Sequence, residues 1–333
     1  MTTSSSTSSD RRGGRVALLS SLAVCSVLAL ALGACSDDGG NGGPDTCEDE
    51  AAPTSTTLPD QILKQANMLV EERTQYTADG TKTQATIVNL NLSDFSFVEV
   101  DSRFPLPCCG AMACFQLTGK GNSSCRQKAG GPCGSDTCTS DESCVNDVCE
   151  PCKPKPLLAD KATLSGAGLA GGSVELEDKG SGKFLKAGLP APLFGSGDVT
   201  LSLTGRSEAD YFPSSEVTVT APEPLVLQNP DPSATTSLSN TDLPVRWKAG
   251  NGELIELTLK SADPAITDKV VCIARDDGCA TVPAGAIEWV KLAMKPGEKF
   301  SMSVRRVVSS LKDGGDHATL VKAASRVDFQ LEQ

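Results

Sequence analysis

Alternation of apolar and polar residues is the main pattern along the chain, and alternation of this kind predicts β-strands. It is clearest after residue 156, where clusters of Gly, Pro, Asp and Ser separate the alternating segments. These segments are 173–177, 198–203, 216–220, 254–260, 269–274, 299–305 and 320–331. Short strands at this density are typical of β-sandwiches. The predicted fold class is therefore all-β: a small disulfide-rich module followed by two antiparallel β-sandwich-like domains.

The region ahead of the cysteines carries both strand and helix signals. Asp79 and Gly80 separate two β-prone runs, 68–77 and 82–92, and an Asp-Gly pair in this position predicts a hairpin. Residues 61–70 place apolar side chains three and four positions apart, which predicts a helix just before that hairpin.

The C-terminal part combines a last strand with a short helix. In the strand, Val321, Ala323, Val327, Phe329 and Leu331 face one way, and Lys322, Arg326, Asp328 and Glu332 face the other. This pattern predicts a half-buried antiparallel strand. Residues 287–294 are predicted as a short helix. Trp247 is expected to pack in the core, while carbohydrate stacking by Trp247 or Trp289 is the alternative.

The N-terminus has the features of an export signal. Three arginines precede an apolar run at 16–32, which ends in Leu32-Gly33-Ala34-Cys35. This motif resembles the lipobox of bacterial lipoproteins, which implies cleavage after residue 34 and lipidation of Cys35. An uncleaved membrane anchor is disfavoured, because 17 helical residues span only about 25 Å of an approximately 30 Å hydrocarbon core.

Residues 35–57 are predicted to be a lipidated, flexible, acidic tether. Positions 36–57 contain six carboxylates, no cation and almost no apolar side chain. The resemblance to enterobacterial lipoproteins makes Ser36 favour the outer membrane, although Asp37 and Asp38 leave retention in the inner membrane open. Sec export is expected. Twin-arginine export through Arg11 and Arg12 is the alternative.

Cysteine usage agrees with export, since nine of the 14 cysteines lie in residues 108–152 with few apolar side chains between them. Twelve cysteines are expected in disulfides: Cys47, Cys108, Cys109, Cys114, Cys125, Cys133, Cys138, Cys144, Cys149, Cys152, Cys272 and Cys279. Cys47 is predicted to join the nine, and Cys272 is predicted to bridge locally to Cys279. Residues 131–152 resemble the Dickkopf-type cysteine-rich repeat, which implies a disulfide scaffold.

Metal binding by the same segment is an alternative to disulfides. Cys149 and Cys152, and Cys133 and Cys138, have the spacing of zinc ligands, but an exported chain meets an oxidising compartment. Calcium is a second alternative, with loop oxygens from Asp136, Asp141, Glu142, Asn146 and Asp147. Solvated loop carboxylates are the expected state, and no metal or other cofactor is predicted.

The predicted organisation continues from the signal peptide (1–34) and tether (35–57). A β-rich segment at 58–107, the cysteine-rich module at 108–152, a small β-domain at 157–221 and an immunoglobulin- or fibronectin-like sandwich at 222–333 follow. The region after 157 resembles uncharacterised β-sandwich lipoproteins of gliding, predatory Gram-negative bacteria. Four soft motifs carry that resemblance: Leu-Phe-Gly-Ser-Gly-Asp at 193–198, Thr-Ala-Pro at 220–222, Pro-Val-Arg-Trp at 244–247, and Cys272 with Asp-Gly-Cys at 277–279.

Catalytic motifs are weak throughout the sequence. Residues 166–171 match GxGxxG, but the next segment alternates as a strand does, so a glycine-rich turn is expected instead of a dinucleotide site. His317 is the only histidine and lies in a Gly- and Asp-rich turn. The motifs GxSxG, HExxH and GxxxxGK[ST] are absent from the sequence. No catalytic residue is therefore assigned.

The net charge limits the classes of partner that the chain is expected to bind. Without residues 1–34 the chain keeps 27 basic and 41 acidic side chains, a net charge of −14, which opposes binding to nucleic acid. The sequence predicts a non-catalytic, membrane-tethered protein of the cell envelope, acting in adhesion, in assembly or in binding a protein or glycan. A carboxylate-dependent envelope hydrolase is the alternative.

Overall fold

A computed structural model describes residues 52–57, 64–94, 97–100, 103–106, 112–117, 122–125, 131–138, 142–145, 148–151 and 155–333. The strands before residue 157 are β1 Lys64–Tyr76, β2 Lys82–Asp94, β3 Phe97–Val100, β4 Arg103–Leu106, β5 Ala113–Leu117, β6 Asn122–Cys125, β7 Gly131–Cys133, β8 Asp136–Cys138, β9 Glu142–Val145, β10 Val148–Pro151 and β11 Lys155–Pro156.

The later strands are β12 Lys161–Ser165, β13 Ser173–Glu175, β14 Glu177–Asp178, β15 Lys183–Ala187, β16 Asp198–Thr204, β17 Ser215–Thr220, β18 Leu227–Asn229, β19 Leu243–Trp247, β20 Leu254–Ser261, β21 Lys269–Ala274, β22 Cys279–Val282, β23 Phe300–Asp313 and β24 His317–Leu331. Helix α1 covers Ala284–Leu292. The described chain is therefore all-β with one short helix, as its alternating pattern predicts.

One long sheet contains strands from most parts of the described chain. Its strand order is β14–β15–β2–β1–β24–β23–β20–β21–β5–β4, and β11 also pairs with β2. A four-stranded sheet, β13–β12–β16–β17, and a three-stranded sheet, β18–β19–β22, are formed separately. The long sheet joins strands from both predicted β-domains and from the N-terminal hairpin, because the hairpin inserts beside β24.

Two hydrophobic cores share this sheet. One core joins apolar side chains of β1, β2 and β24 to those of the four-stranded sheet. The other joins β20, β21, β23 and β24 to the three-stranded sheet and α1. Val321 and Ala323, early in β24, belong to the first core, and Val327 and Phe329, later in β24, belong to the second. The architecture is thus two sandwich-like lobes with a continuous back sheet.

The predicted hairpin is confirmed, and the helix predicted ahead of it is wrong. The turn between β1 and β2 has Gly80 at φ 79°, and the side chain of Asp79 accepts a hydrogen bond from the backbone N–H of Thr81 at 3.0 Å. Residues 64–70 belong to β1, where Met68 and Val70 are fully buried. Pairing of β1 with β2 on one side and β24 on the other outweighs a weak helical pattern.

Strand β24 is more buried than its sequence suggested. It pairs antiparallel with β23 and parallel with β1, so it lies inside the sheet. Asp328, predicted to face solvent, is 5 % exposed, and Arg326 is only partly exposed. The expectation of a half-buried strand is therefore wrong, because Leu320, Ala324 and Asp328 on its second face are buried as well.

Two C-terminal predictions agree with the structure. The short helix predicted at 287–294 is α1, which begins three residues earlier, and its first N–H, on Ala284, donates to the carboxylate of Asp242 at 2.8 Å. Trp247 is 2 % exposed in the second core, and Trp289 packs partly buried against the same core. Within the described residues α1 is the only helix, and its nine residues are too few to cross a membrane.

Candidate functional site: the outer face of the long sheet

The face of the long sheet that points away from both cores is here called the outer face. Leu69, Leu254, Ile273, Val307 and Ala324 form a third, smaller apolar cluster on it. Strand alternation places three arginines on the same face: Arg305 and Arg326 lie two residues from cluster members on their strands, and Arg73 lies four residues from Leu69. The outer face therefore combines an apolar patch with a row of charges.

Three arginines lie side by side on adjacent strands. Arg73 on β1 is directly opposite Arg326 on β24, which is directly opposite Arg305 on β23. Like charges in directly opposed positions destabilise a sheet unless other charges separate them. We call Arg73, Arg326 and Arg305 the arginine row.

Carboxylates from the neighbouring positions separate these guanidiniums. Asp328 accepts from Arg326 Nε at 2.8 Å and also from Arg73 Nε. Glu71 lies 3.5 Å from both Arg326 Nη1 and Arg305 Nε. The result is an alternating chain of opposite charges across three strands.

Glu256 is the last member of this alternating set of charges, and its Oε1 lies 3.2 Å from Arg305 Nη2. Three carboxylates and three guanidiniums then balance, so the row contributes no net charge. Burial divides the members unevenly, since Glu71 and Asp328 are buried whereas Glu256 is 27 % exposed. The side chains of Glu71 and Asp328 are 3 % and 7 % exposed, whereas those of the three arginines are 22–31 % exposed. Both signs of charge therefore reach solvent, through the partly exposed arginines and through Glu256, while Arg305 Nε and Glu71 Oε2 are buried.

The N-terminal segment 52–57 crosses the same face, and we call it the strap. Thr56 Oγ1 donates to Glu253 Oε1 at 2.8 Å, and Lys322 Nζ donates to Ser55 Oγ at 3.2 Å. Ser309 also donates to the carboxylate of Glu253. The last six residues of the predicted tether are thus attached to the sheet.

A second charged cluster, around Arg306, lies on the core side of β23. The Arg306 side chain is 1 % exposed, and all five of its N–H groups donate. Two go to the carboxylate of Asp276 at 2.7 and 3.0 Å, and three go to the backbone carbonyls of Glu223, Pro224 and Lys248. Because Glu223 and Pro224 connect the two lobes, this cluster fixes the connection.

Asp276 is equally constrained. Besides Arg306, its oxygens accept from Trp247 Nε1 at 2.8 Å and from the backbone N–H of Gly252 at 2.7 Å. A Cβ at Gly250 would lie 2.5 Å from Cζ of Arg306, so the guanidinium fills the space beside a bare backbone. A fully hydrogen-bonded pair of this kind indicates a structural role.

His317 begins β24 beside the turn that joins β23 to β24. Its Nδ1 lies 2.7 Å from Asp316 Oδ1, and its ring meets Phe212 edge-to-face at a centroid distance of 5.5 Å. Bonding to His317 lowers the pKa of the Asp316 carboxyl. Within the part of the chain that the structure describes, the His317 ring thus meets a carboxylate and an aromatic ring, neither of which is a serine or cysteine nucleophile.

The GxGxxG match at 166–171 is a turn between β12 and β13, as expected. Gly166 has φ 124°, and a Cβ there would lie 2.2 Å from the carbonyl oxygen of Asp198. The backbone N–H of Gly168 donates to that carbonyl at 2.9 Å. The glycines of this motif allow close packing on the 193–198 stretch, and a strand follows where a dinucleotide site needs a helix.

The disulfide scheme departs from the prediction at Cys272. Cys114 and Cys272 are directly opposite on β5 and β21 and form a disulfide. The predicted Cys272–Cys279 bridge is therefore wrong, and so is the assignment of Cys114 to a bridge inside the module. Cys279 lies on β22 opposite Arg246, in a different sheet.

Within the module, Cys138 and Cys149 form a disulfide. The sulfurs of Cys133, Cys138 and Cys149 lie within 4.8 Å of one another, a grouping that resembles a zinc site. Cys133 is disulfide-bonded too, so these sulfurs are adjacent disulfides rather than thiolate ligands.

Several predicted residues cannot be compared with the structure. Outside the described residues lie Cys35, Cys47, Cys108, Cys109, Cys152, Asp141, Asn146 and Asp147. For Cys125, Cys144 and Asp136 only strand positions are described. Lipidation and the calcium alternative therefore stay predictions.

Comparison with known proteins assigns no family. No protein-family model matches the chain, and no curated protein matches it in sequence. Function must therefore be argued from the residues. The outer face carries the combination that the sequence did not reveal: an arginine row, a buried set of carboxylates beneath it, and the attachment point of the strap.

Proposed function

We propose that the chain is a membrane-tethered, non-catalytic lipoprotein of the cell envelope, placed at the outer membrane, that binds a protein or glycan partner. The observation that carries the proposal is the lipobox Leu32-Gly33-Ala34-Cys35 behind an apolar run. Its cysteine lies 17 positions before Ala52, where the described strap begins.

The disulfides support export. Cys114–Cys272 joins segments 158 positions apart, and Cys138–Cys149 holds strands that have little apolar core. Disulfides of this kind persist in oxidising compartments. The attachment of the strap to the sheet supports a tether role for the preceding residues, because a pull on the N-terminus would reach the folded part at Ser55 and Thr56.

Lipidation is tested by Cys35→Ser in cells fed labelled palmitate. We expect an unlabelled precursor that retains its signal, whereas the parent chain is labelled and sediments with membranes. Cys25→Ser is the matched control, since Cys25 lies inside the apolar run and should be dispensable. Label that persists in Cys35→Ser would contradict the proposal.

Binding is tested with the purified mature chain in detergent, applied to immobilised envelope proteins and glycans. Because the net charge is −14, retention should weaken as salt rises if the partner is cationic, and calcium should restore it if divalent ions bridge. Saturable retention supports the binding class. Cleavage of an envelope polymer that one Asp→Asn or Glu→Gln change abolishes would instead support the hydrolase.

A further inference from the structure

Aspartate or asparagine followed by glycine occurs at four places in the described residues: Asp79, Asn251, Asp277 and Asp313. Such a pair can rearrange without an enzyme, because glycine has no side chain to hinder its own amide nitrogen. That nitrogen attacks the side-chain carbonyl carbon of the preceding residue. The reaction therefore depends on whether the fold leaves the glycine N–H free to move.

Two of the Asp-Gly pairs have a glycine N–H that is already hydrogen-bonded. Gly80 donates to the backbone carbonyl of Thr77 at 2.9 Å, and Gly314 donates to that of His317 at 2.8 Å. Each nitrogen must lose its hydrogen bond before it can approach the carboxyl group. That loss of binding energy slows the rearrangement at both places.

The Asn-Gly pair is held even more firmly. The N–H of Gly252 donates to the carboxylate of Asp276 at 2.7 Å. The side chain of Asn251 donates through Nδ2 to the carbonyl of Ala221 at 2.9 Å, and its Oδ1 accepts from the N–H of Glu223 at 2.7 Å. Both reacting groups of this pair are therefore fixed.

The pair Asp277-Gly278 differs from the other three. The carbonyl of Gly278 accepts from the backbone N–H of Trp247 at 2.8 Å, but its own N–H takes part in no hydrogen bond within the part of the chain that the structure describes. Asp277 is exposed, so water reaches this turn. The nitrogen of Gly278 can thus move toward the carboxyl group without breaking a hydrogen bond.

The carboxyl groups differ in the same direction. All three aspartates accept from the N–H two residues later, at 3.0 Å for Asp79, 2.8 Å for Asp313 and 3.3 Å for Asp277. A hydrogen bond from Thr77 lowers the pKa of Asp79 to about 2, whereas desolvation raises the pKa of Asp277. The neutral acid is the reactive form, because hydroxyl leaves more easily than oxide.

We propose that Asp277 is a site of spontaneous isomerisation to isoaspartate in the folded protein. The nitrogen of Gly278 bonds to Cγ of Asp277 while the C–OH bond of the carboxyl group breaks, and the hydroxyl leaves with the amide proton as water. Water then opens the resulting succinimide. Opening at the main-chain carbonyl carbon gives isoaspartate, and opening at Cγ restores aspartate, so the mass of the chain is unchanged.

The product changes the main chain beside the Arg306 cluster. Isoaspartate routes the chain through Cβ and Cγ, which lengthens it by one carbon between Asp276 and Gly278. Asp276 holds Arg306, and Gly278 holds the backbone of Trp247. Isomerisation therefore loosens the connection between the two lobes as the protein ages.

Ageing of the purified mature protein at physiological temperature and neutral pH tests the proposal. Samples would be reduced, alkylated and digested, and isoaspartate located by electron-transfer mass spectrometry. We expect it to accumulate several-fold faster at Asp277 than at Asp79 or Asp313, which are matched Asp-Gly controls in the same chain. In reduced protein unfolded by urea the three rates should converge, because the fold no longer distinguishes them. Equal rates in the folded protein, or a faster rate at Asp79 or Asp313, would overturn the proposal.

Thermal unfolding tests the consequence for the lobes. Asp277→Glu should block the reaction, because its side chain would have to close a less favourable six-membered imide. The aged parent should lose Tm, and the aged variant should keep the Tm of its fresh sample. Chromatographic separation of isoaspartate-containing from unmodified parent gives the same comparison without a substitution. Identical Tm values in those two fractions would overturn the proposed loosening.

Discussion

Replacing Asp276 by Asn tests how much the buried Arg306–Asp276 ion pair contributes to the stability of the fold. The change keeps the side-chain volume but removes the charge, and one carboxylate oxygen becomes an NH₂ group. That group cannot accept a hydrogen bond, so two donors lose their acceptor: Arg306 Nε and the Gly252 N–H if it replaces Oδ2, or Arg306 Nη2 and Trp247 Nε1 if it replaces Oδ1. Arg306 is left charged, 1 % exposed and short of a counterion.

The expected loss of folding stability follows from that uncompensated charge on Arg306. Breaking a buried ion pair by removing one partner typically destabilises a protein by about 3–5 kcal/mol. At about 2–4 °C per kcal/mol for a domain of roughly this size, the expected fall in Tm is about 6–20 °C. Trp247 donates to Asp276 at 2.8 Å, so its fluorescence should report the transition directly.

Asp160→Asn is the matched control. Arg206 binds Asp160 through Nε and Nη2 at 2.9 and 2.8 Å, the same two-point geometry as in the Arg306 pair. Its side chains are 50 % and 36 % exposed, so water replaces the lost contact and Tm should hardly change. Equal losses of Tm in Asp276→Asn and Asp160→Asn, measured by urea and thermal unfolding, would refute the argument from burial.

Three further predictions concern turns and crosslinks. Gly166→Ala should destabilise the fold by more than about 1 kcal/mol, because its Cβ would lie 2.2 Å from a backbone oxygen at φ 124°, whereas Gly171→Ala meets nothing within 4 Å and should be tolerated; comparable unfolding midpoints would contradict this. Replacing both Cys114 and Cys272 by Ala should cost about 2–5 kcal/mol, read from denaturant midpoints, and an unchanged midpoint would count against it. A hydrogen bond from Thr77 lowers the pKa of Asp79 to about 2. The stability that Asp79 contributes is therefore present above pH 3.8 and is lost as pH falls toward 2, so the Tm deficit of Asp79→Ala should shrink across that window; a deficit independent of pH would refute it.

Local signals predicted most of the elements but not their neighbours. The Asp-Gly turn between alternating runs identified the hairpin, because both the turn and the strands depend on adjacent residues. The same sequence could not indicate that β1 pairs in parallel with β24, since Arg73 and Asp328 are 255 positions apart. That pairing also explains why the predicted helix at 61–70 was wrong.

The arginine row escaped prediction for the same reason. Arg326 and Asp328 were assigned to one face of their strand, and Glu71 and Arg73 show the same two-residue spacing on β1. Spacing along one strand shows which residues share a face, while the partner strand and its register decide which charges meet. Charged pairs two residues apart in two distant strands were the available signal, and they become informative only once those strands are known to be neighbours.

The shared strand β24 has a consequence for the order of events during synthesis and export. Val321 and Ala323 complete one core, and Val327 and Phe329 complete the other, so a nascent chain without these residues can close neither lobe. Strand β1 must wait beside β2 until a partner more than 250 positions later has emerged. Such non-local pairing is slow to form. For the export proposed above, this dependence on the last strand means that the chain would still be unfolded during translocation and would become compact only after passage.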